Sequence, residues 1–445
     1  GWAFMPTYLG IILVFIFAHP VLRHIAHLCH QHKVSSLADF ISLRYDKSHL
    51  LAALVTLLCF VGVLPYIALQ LDAVTRGIGI VTGTDDLWPD SVGLYVAVLM
   101  ALFAILFGTR SISLTDKHPG LMLTIAFESV VKLLALVIVG LFVCYSLFDG
   151  IFDLLGQAQE HPRSQQIVQA DSAIWVYASH MLLGICSMFC LPRQFHINFI
   201  ENNGDEELHL ARWVFPIYLV AMTIFVLPIA IAGHILFPEG TVSTDTYALA
   251  LPVFAQNTGI TIVSFIGGLS AATSMVIVAT LAMGVMISNN LITPLWLKFQ
   301  FKTFKQHNLK PKAILLIRRL TVLVVLGVAY LYHLDISQSA PLVKSGIIAI
   351  ALLSQTMPII ILGLYWPKGN KLAAQLALLT GAACWCYWLL WPSIKASYYF
   401  DPAPSDLDLA TGFLLSLVVN IVTFVSVSLL TSSKVQANAF NPLTP

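Results

Sequence analysis

Apolar runs of membrane length, separated by short polar connections, repeat from one end of this chain to the other. A hydrocarbon core of roughly 30 Å takes about 20 apolar residues to cross as a helix. Eleven stretches meet that length: 4–22, 50–76, 91–109, 120–147, 173–199, 211–237, 259–297, 314–333, 345–366, 372–392 and 408–431. The seventh is too long for one straight crossing, and Gly267-Gly268 and Ser288-Asn289-Asn290 mark its bends or its ends. Residues 35–45 form a short amphipathic segment with Leu37, Phe40 and Ile41, predicted to lie at the cytoplasmic surface. The longest polar connections are 149–171 and 299–312, and neither has the length of a soluble domain.

The fifth run breaks its own pattern. After Met181 to Leu191 it meets Pro192, Arg193, Gln194, His196 and Asn198 before the polar Glu201-Asn202-Asn203-Gly204. Proline and ionisable groups at membrane depth are tolerated where backbone is buried in protein or lines a wet cavity. Interrupted helices of this kind point to a solute-binding site. The plain alternative is a proline kink with Arg193 already at the interface.

Other polar residues sit inside the runs. Run 2 carries Pro65, Tyr66, Gln70 and Asp72. Run 4 carries Glu128 and Lys132, one turn apart and able to pair on one helix face. Glu128 lies near the midplane, either as a proton carrier or in a structural ion pair. Run 7 combines Ser270, Thr273, Ser274 and Thr280 with Gly267, Gly268, Ala271 and Ala272. Such a seam serves close helix packing or, through its hydroxyls, a hard cation. His24, His27 and His30 fall along one helix without acidic partners at zinc-ligand spacing, which reads as a solvated helix end.

Composition agrees. The 445 residues are 58% hydrophobic and only 10% charged, against roughly 25% charge in soluble domains. A net charge of +1 leaves no field that would suggest nucleic acid. The cysteines lie mostly within apolar runs, with no disulfide framework. Basic residues split 18 to 4 between alternate connections, with Lys132 inside a run, out of 23 Lys and Arg in all. The positive-inside rule then places the C-terminus in the cytoplasm and Gly1 outside. No nucleotide loop or nucleophile motif occurs, so no enzyme is expected in this chain.

Several motifs carry a family resemblance. Ser36-Leu37-Ala38-Asp39-Phe40-Ile41-Ser42-Leu43-Arg44-Tyr45, Phe107-Gly108-Thr109-Arg110 with Leu114-Thr115-Asp116, and Gly363-Leu364-Tyr365-Trp366 resemble stretches of the sodium:solute symporter family. More specifically, the chain is similar to the N-terminal transporter domain of CbrA-type sensor histidine kinases. That likeness rests on 64–71 (Leu64-Pro65-Tyr66 to Gln70-Leu71), on Gly120-Leu121-Met122 through Glu128-Ser129, on Leu191-Pro192-Arg193-Gln194-Phe195-His196 and on 268–275.

The resemblance implies an all-α polytopic membrane protein with a LeuT-like inverted-repeat symporter fold. About eleven spans would be present and the N-terminal spans missing. Residues 1–431 would be the transmembrane domain, and 432–445 a cytoplasmic linker toward absent signalling modules. It implies transport or sensing of a small solute, an amino acid and in particular histidine, in the bacterial inner membrane. The alternative is a stand-alone cation-coupled transporter. The coupling ion would be Na+ or H+, with no other cofactor, and a homodimer would form through the kinase region. Carried over by residue, substrate contacts fall on Tyr66, Gln70, Gly184, Met188 and Pro192, and Arg193 and His196 act at the inner gate. The sodium positions fall on Ala271, Ser274 and Met275, a degenerate site because a thioether replaces a hydroxyl. Glu128, with Lys132, then becomes the proton-coupling candidate.

Overall fold

The computed structural model describes residues 5–83, 89–108, 117, 119–161, 164, 173–238, 241–296, 311–336, 342–398 and 403–431. Thr109, Arg110, Leu114 to Asp116, the 299–310 basic run and the 432–445 linker lie outside these. Every regular element among the described residues is helical. The first four are α1 (Met5–Phe17), α2 (His19–Gln31), α3 (Leu37–Arg44) and α4 (His49–Thr82). Then come α5 (Pro89–Gly108), α6 (Pro119–Phe142), α7 (Ile151–Glu160), α8 (Ile174–Cys190) and the single turn α9 (Pro192–Phe195). They are followed by α10 (Asp205–Thr223), α11 (Val226–Leu236), α12 (Tyr247–Phe254), α13 (Thr258–Ile287) and α14 (Pro311–Ile336). The last five are α15 (Leu342–Leu353), α16 (Met357–Tyr365), α17 (Lys371–Trp385), α18 (Trp391–Tyr398) and α19 (Asp406–Leu430).

Among the described residues, eight helices or continuous helix pairs are long and apolar enough to cross a membrane, ten with the two bent pairs, and Val92–Leu106 adds a shorter apolar helix. They coincide in order and position with the eleven apolar runs. This is a multi-pass helical membrane protein.

The first run differs from expectation. Its helix stops at Phe17, and α2 turns away by 72° with Pro20 in its first turn. α2 buries Leu22, Ile25, Ala26 and Cys29 and leaves His27 and His30 exposed, so it is the amphipathic surface helix. α3, expected to lie at the surface, is instead packed inside. Leu37, Ala38, Phe40, Ile41 and even Arg44 are buried, because Arg44 Nε donates to the Gly363 carbonyl at 2.5 Å. The Tyr45 hydroxyl likewise donates to the Ile359 carbonyl at 2.8 Å. These bonds give the two polar side chains backbone acceptors along α16, Ile359 in its first turn and Gly363 in its last, which lets α3 pack inside the bundle. α13 runs straight through Gly267-Gly268, whose value is proximity: a Cβ on Gly267 would collide with Ala135 of α6.

The main core gathers around α4, α8, α13, α15, α17 and α19. A smaller core of Val139, Phe142, Cys144, Ile231, Tyr247 and Leu251 joins α6, α11 and α12. α1 lies along α8, where a Cβ on Gly184 would meet the Thr7 carbonyl and one on Gly10 the Met181 carbonyl. In lipid, where no hydrophobic force draws helices together, this closeness is what binds them.

Alternate connections meet at one end of the bundle. Arg23 pairs with Asp205 at 2.5 Å, Lys117 with the Asn202 carbonyl, Asn289 with Ser35 at 3.3 Å, Gln375 with Ser48 at 3.2 Å and Asn370 with Thr431 at 2.7 Å. The intervening connections meet at the other end, where Lys344 donates to the Pro404 carbonyl at 2.8 Å. Consecutive spans therefore run in opposite directions.

Candidate functional site

The break in the fifth run is real. Leu191 leaves the helix with φ −73° and ψ 122°, Pro192 restarts it as α9, and the axis turns by 53°. Proline has no amide hydrogen to give and disfavours helix in the residue before it. The continuation after α9 is a widened π-helical turn, His196–Ile200. This offset presents Arg193 to the bundle interior. Its Nη1 donates to the Tyr66 hydroxyl of α4 at 3.4 Å, and that hydroxyl donates to Met275 Sδ of α13 at 3.3 Å. Arg193 Nε is buried without a hydrogen-bond partner.

Two residues before Met275 on α13, the Thr273 hydroxyl donates to Glu128 Oε1 at 3.3 Å. The Ser270 hydroxyl donates to the Glu128 carbonyl at 3.1 Å, and Glu128 Oε2 is buried without a partner. Glu128 and Lys132 share a face by spacing, but among the described residues no carboxylate lies within 4 Å of the Lys132 ammonium. Glu128 turns to Thr273, and Lys132 stands 5.8 Å from the centre of the Tyr218 ring. Tyr218 is itself anchored to the Ser129 carbonyl at 3.2 Å. Arg193 and Glu128 both act on Lys132 electrostatically. The result is one polar layer across α4, α6, α9, α10 and α13.

A cavity of about 260 Å³ opens from this layer toward the end carrying Thr82 and Asp245. Lys132 and Ala271 line its inner part, and Arg76, Asp245 and Ser264 its outer part, with apolar walls between. Arg76 Nε pairs with buried Asp72 at 2.6 Å, and His333 Nδ1 lies 3.4 Å from the other Asp72 oxygen. Outside the spans, burial pushes the Asp245 carboxyl above its ordinary range, with Arg76 opposing.

The other residues named from sequence fall elsewhere. Gln70 is half-buried on α4, Met188 is buried in the core and Pro192 is buried at the break. Gly184 abuts α1. His196 is not among the residues that line the cavity, and its Nε2 lies 3.2 Å from buried Glu201 Oε1. At the sodium positions, the Ser274 hydroxyl donates back to the Ala271 carbonyl at 3.2 Å, and Met275 receives Tyr66. Among the described residues no group of three His, Cys, Asp or Glu could hold a metal. Sequence reading missed Thr273 as the partner of Glu128, Tyr218 beside Lys132, and the Asp72–His333 contact. Each joins residues far apart in the chain, and the one available signal was ionisable groups inside apolar runs.

No family model matches the chain. It is 22% identical over 380 residues to an uncharacterised symporter, YodF of Bacillus subtilis (strain 168), covering 84% of this chain and 70% of that protein. It is 28% identical over 138 residues to the osmoregulated proline transporter OpuE of the same organism, covering 31% of this chain and 26% of that protein. By structure it is similar to a Na+-coupled sialic acid symporter in a substrate-bound, outward-open state, with a TM-score of 0.64 and 15% identity. That match covers 97% of this chain and 84% of the symporter. The chain therefore shares the helical fold of LeuT-like symporters.

Proposed function

We propose that this chain is the membrane unit of a secondary transporter that binds a small organic solute, with an amino acid as its class, and exchanges it between the two faces by alternating access. The observation that carries this reading is the Arg193–Tyr66–Met275 contact. A cation on a broken span donates to a hydroxyl on α4, which in turn donates to α13, tying three spans together in the polar layer from which the cavity opens. Such a contact must part for solute to pass, and it is built from weak, exchangeable bonds. The symporter names of the sequence relatives and the shared fold support it. The positive-inside split supports a cytoplasmic C-terminus in a plasma membrane.

Glu128 is the proton-coupling carboxylate in this reading. Its buried Oε2 is free to take a proton, and Thr273 can then reorient. Met275 offers a thioether where a hard cation needs oxygen, so sodium is the weaker candidate. The motif likeness to CbrA-type sensor kinases extends the reading to a sensor. Solute binding would then bias a kinase through differential affinity for two conformations. The symporter and transporter names of the relatives favour a stand-alone transporter as second reading.

Radiolabelled histidine uptake into proteoliposomes, under a proton gradient and a sodium gradient applied separately, tests this. Uptake driven by protons and unaffected when choline replaces sodium is the expected result. A strict sodium requirement would overturn the proton assignment, and an absence of saturable uptake would overturn the transporter reading.

A further inference from the structure

The charges around the 260 Å³ cavity are separated along its length. On α6 its wall runs from Lys132 to Val139, seven residues or roughly 10 Å at 1.5 Å per residue. At the outer end Arg76 is already neutralised by Asp72, so Asp245 contributes net negative charge. At the inner end Lys132 has no carboxylate within 4 Å among the described residues, Arg193 adds a second cation, and Glu128 is held by Thr273. Val74, Leu136, Leu249 and Phe265 make the middle apolar. Glu128 acts on Lys132 only from beyond contact distance, whereas intramembrane ionisable groups are normally paired directly.

From this we infer that the cavity is a binding site for a small carboxylate with an apolar body, whose carboxylate is received by Lys132. Where the solute also carries an ammonium group, that group lies toward Asp245. The assignment rests on the transporter reading for its purpose and deepens it by naming the chemistry of the solute. Phe265 and Leu249 enclose the body of the ligand, and the Tyr218 ring stands 5.8 Å from the Lys132 ammonium.

The test uses the purified chain in lipid nanodiscs and three matched probes. L-Leucine carries both charges, 4-methylpentanoate lacks the ammonium and leucinamide lacks the carboxylate. Saturable binding, read by calorimetry, is expected for the first two, with leucinamide at least tenfold weaker. Lys132→Met should weaken both carboxylates tenfold or more, while Lys132→Arg, which keeps the charge, should retain them and control for folding. Asp245→Asn should weaken leucine and leave 4-methylpentanoate unchanged. Leucinamide binding as tightly as leucine, an unchanged Lys132→Met variant, or no saturable binding of any probe would each overturn the site. Carboxylate binding without flux in proteoliposomes would instead count against the transporter reading alone.

Discussion

At the scale of single residues, the layer beneath the cavity depends on a few polar atoms in a medium that punishes unpaired ones. Hydrogen bonds to charged groups are worth about 1.5–3 kcal/mol, so Tyr66→Phe, which removes the acceptor for Arg193, is expected to change the initial rate of solute uptake roughly tenfold or more at unchanged expression. A rate within twofold of wild type would show that the contact plays no part in the cycle. Glu128→Gln keeps the shape and the bond from Thr273 but cannot release a proton. It should flatten the pH profile of uptake, and an unaltered profile would remove Glu128 from the coupling reaction. Both residues were legible as polar groups in apolar runs. Their partners were not: spacing put Lys132 beside Glu128, whereas the carboxylate turns to α13. An i,i+4 spacing makes a pair available, and a neighbouring helix can offer a better one.

At the scale of elements, the break and the close helix crossings carry the architecture. Pro192 announced the break in the sequence because its effect on the backbone is local. The tight α1–α8 contact was not announced, since Gly10 and Gly184 read like any other small residues until Thr7 and Met181 are placed against them. Gly184→Val would drive a side chain into the Thr7 carbonyl. Overpacking of this kind costs typically about 1–3 kcal/mol, so a lower thermal-unfolding midpoint in detergent is expected, where Gly156→Val, with open space around it, should show none. Equal midpoints would mean that the two helices are not locked there. α2 and α3 reverse the expected assignment for a similar reason. An amphipathic pattern gives a helix one apolar face, but it does not say whether the polar face meets water or the carbonyls at a helix end, as Arg44 does at Gly363.

At the scale of the whole molecule, the alternation of spans follows from the chain alone and reappears in the way alternate connections meet at opposite ends, while loop charge proposes which end is cytoplasmic. In right-side-out vesicles, a membrane-impermeant maleimide should label Asp149→Cys and spare Lys33→Cys. The reverse pattern would invert the proposed orientation. Both side chains are exposed, and five of the seven native cysteines are buried, which keeps the background low. Hydrophobic length and proline position act through the lipid and the local backbone, so the sequence by itself determined that this is a polytopic helical membrane protein, about where its spans fall and that the fifth is broken, though not that the first is bent at Phe17. The cavity, the Arg193–Tyr66–Met275 contact and the separation of Lys132 from Glu128 were decided only by tertiary structure. Each is made by atoms on helices distant in sequence, and which polar group finds which partner depends on the depth and rotation at which those helices pack.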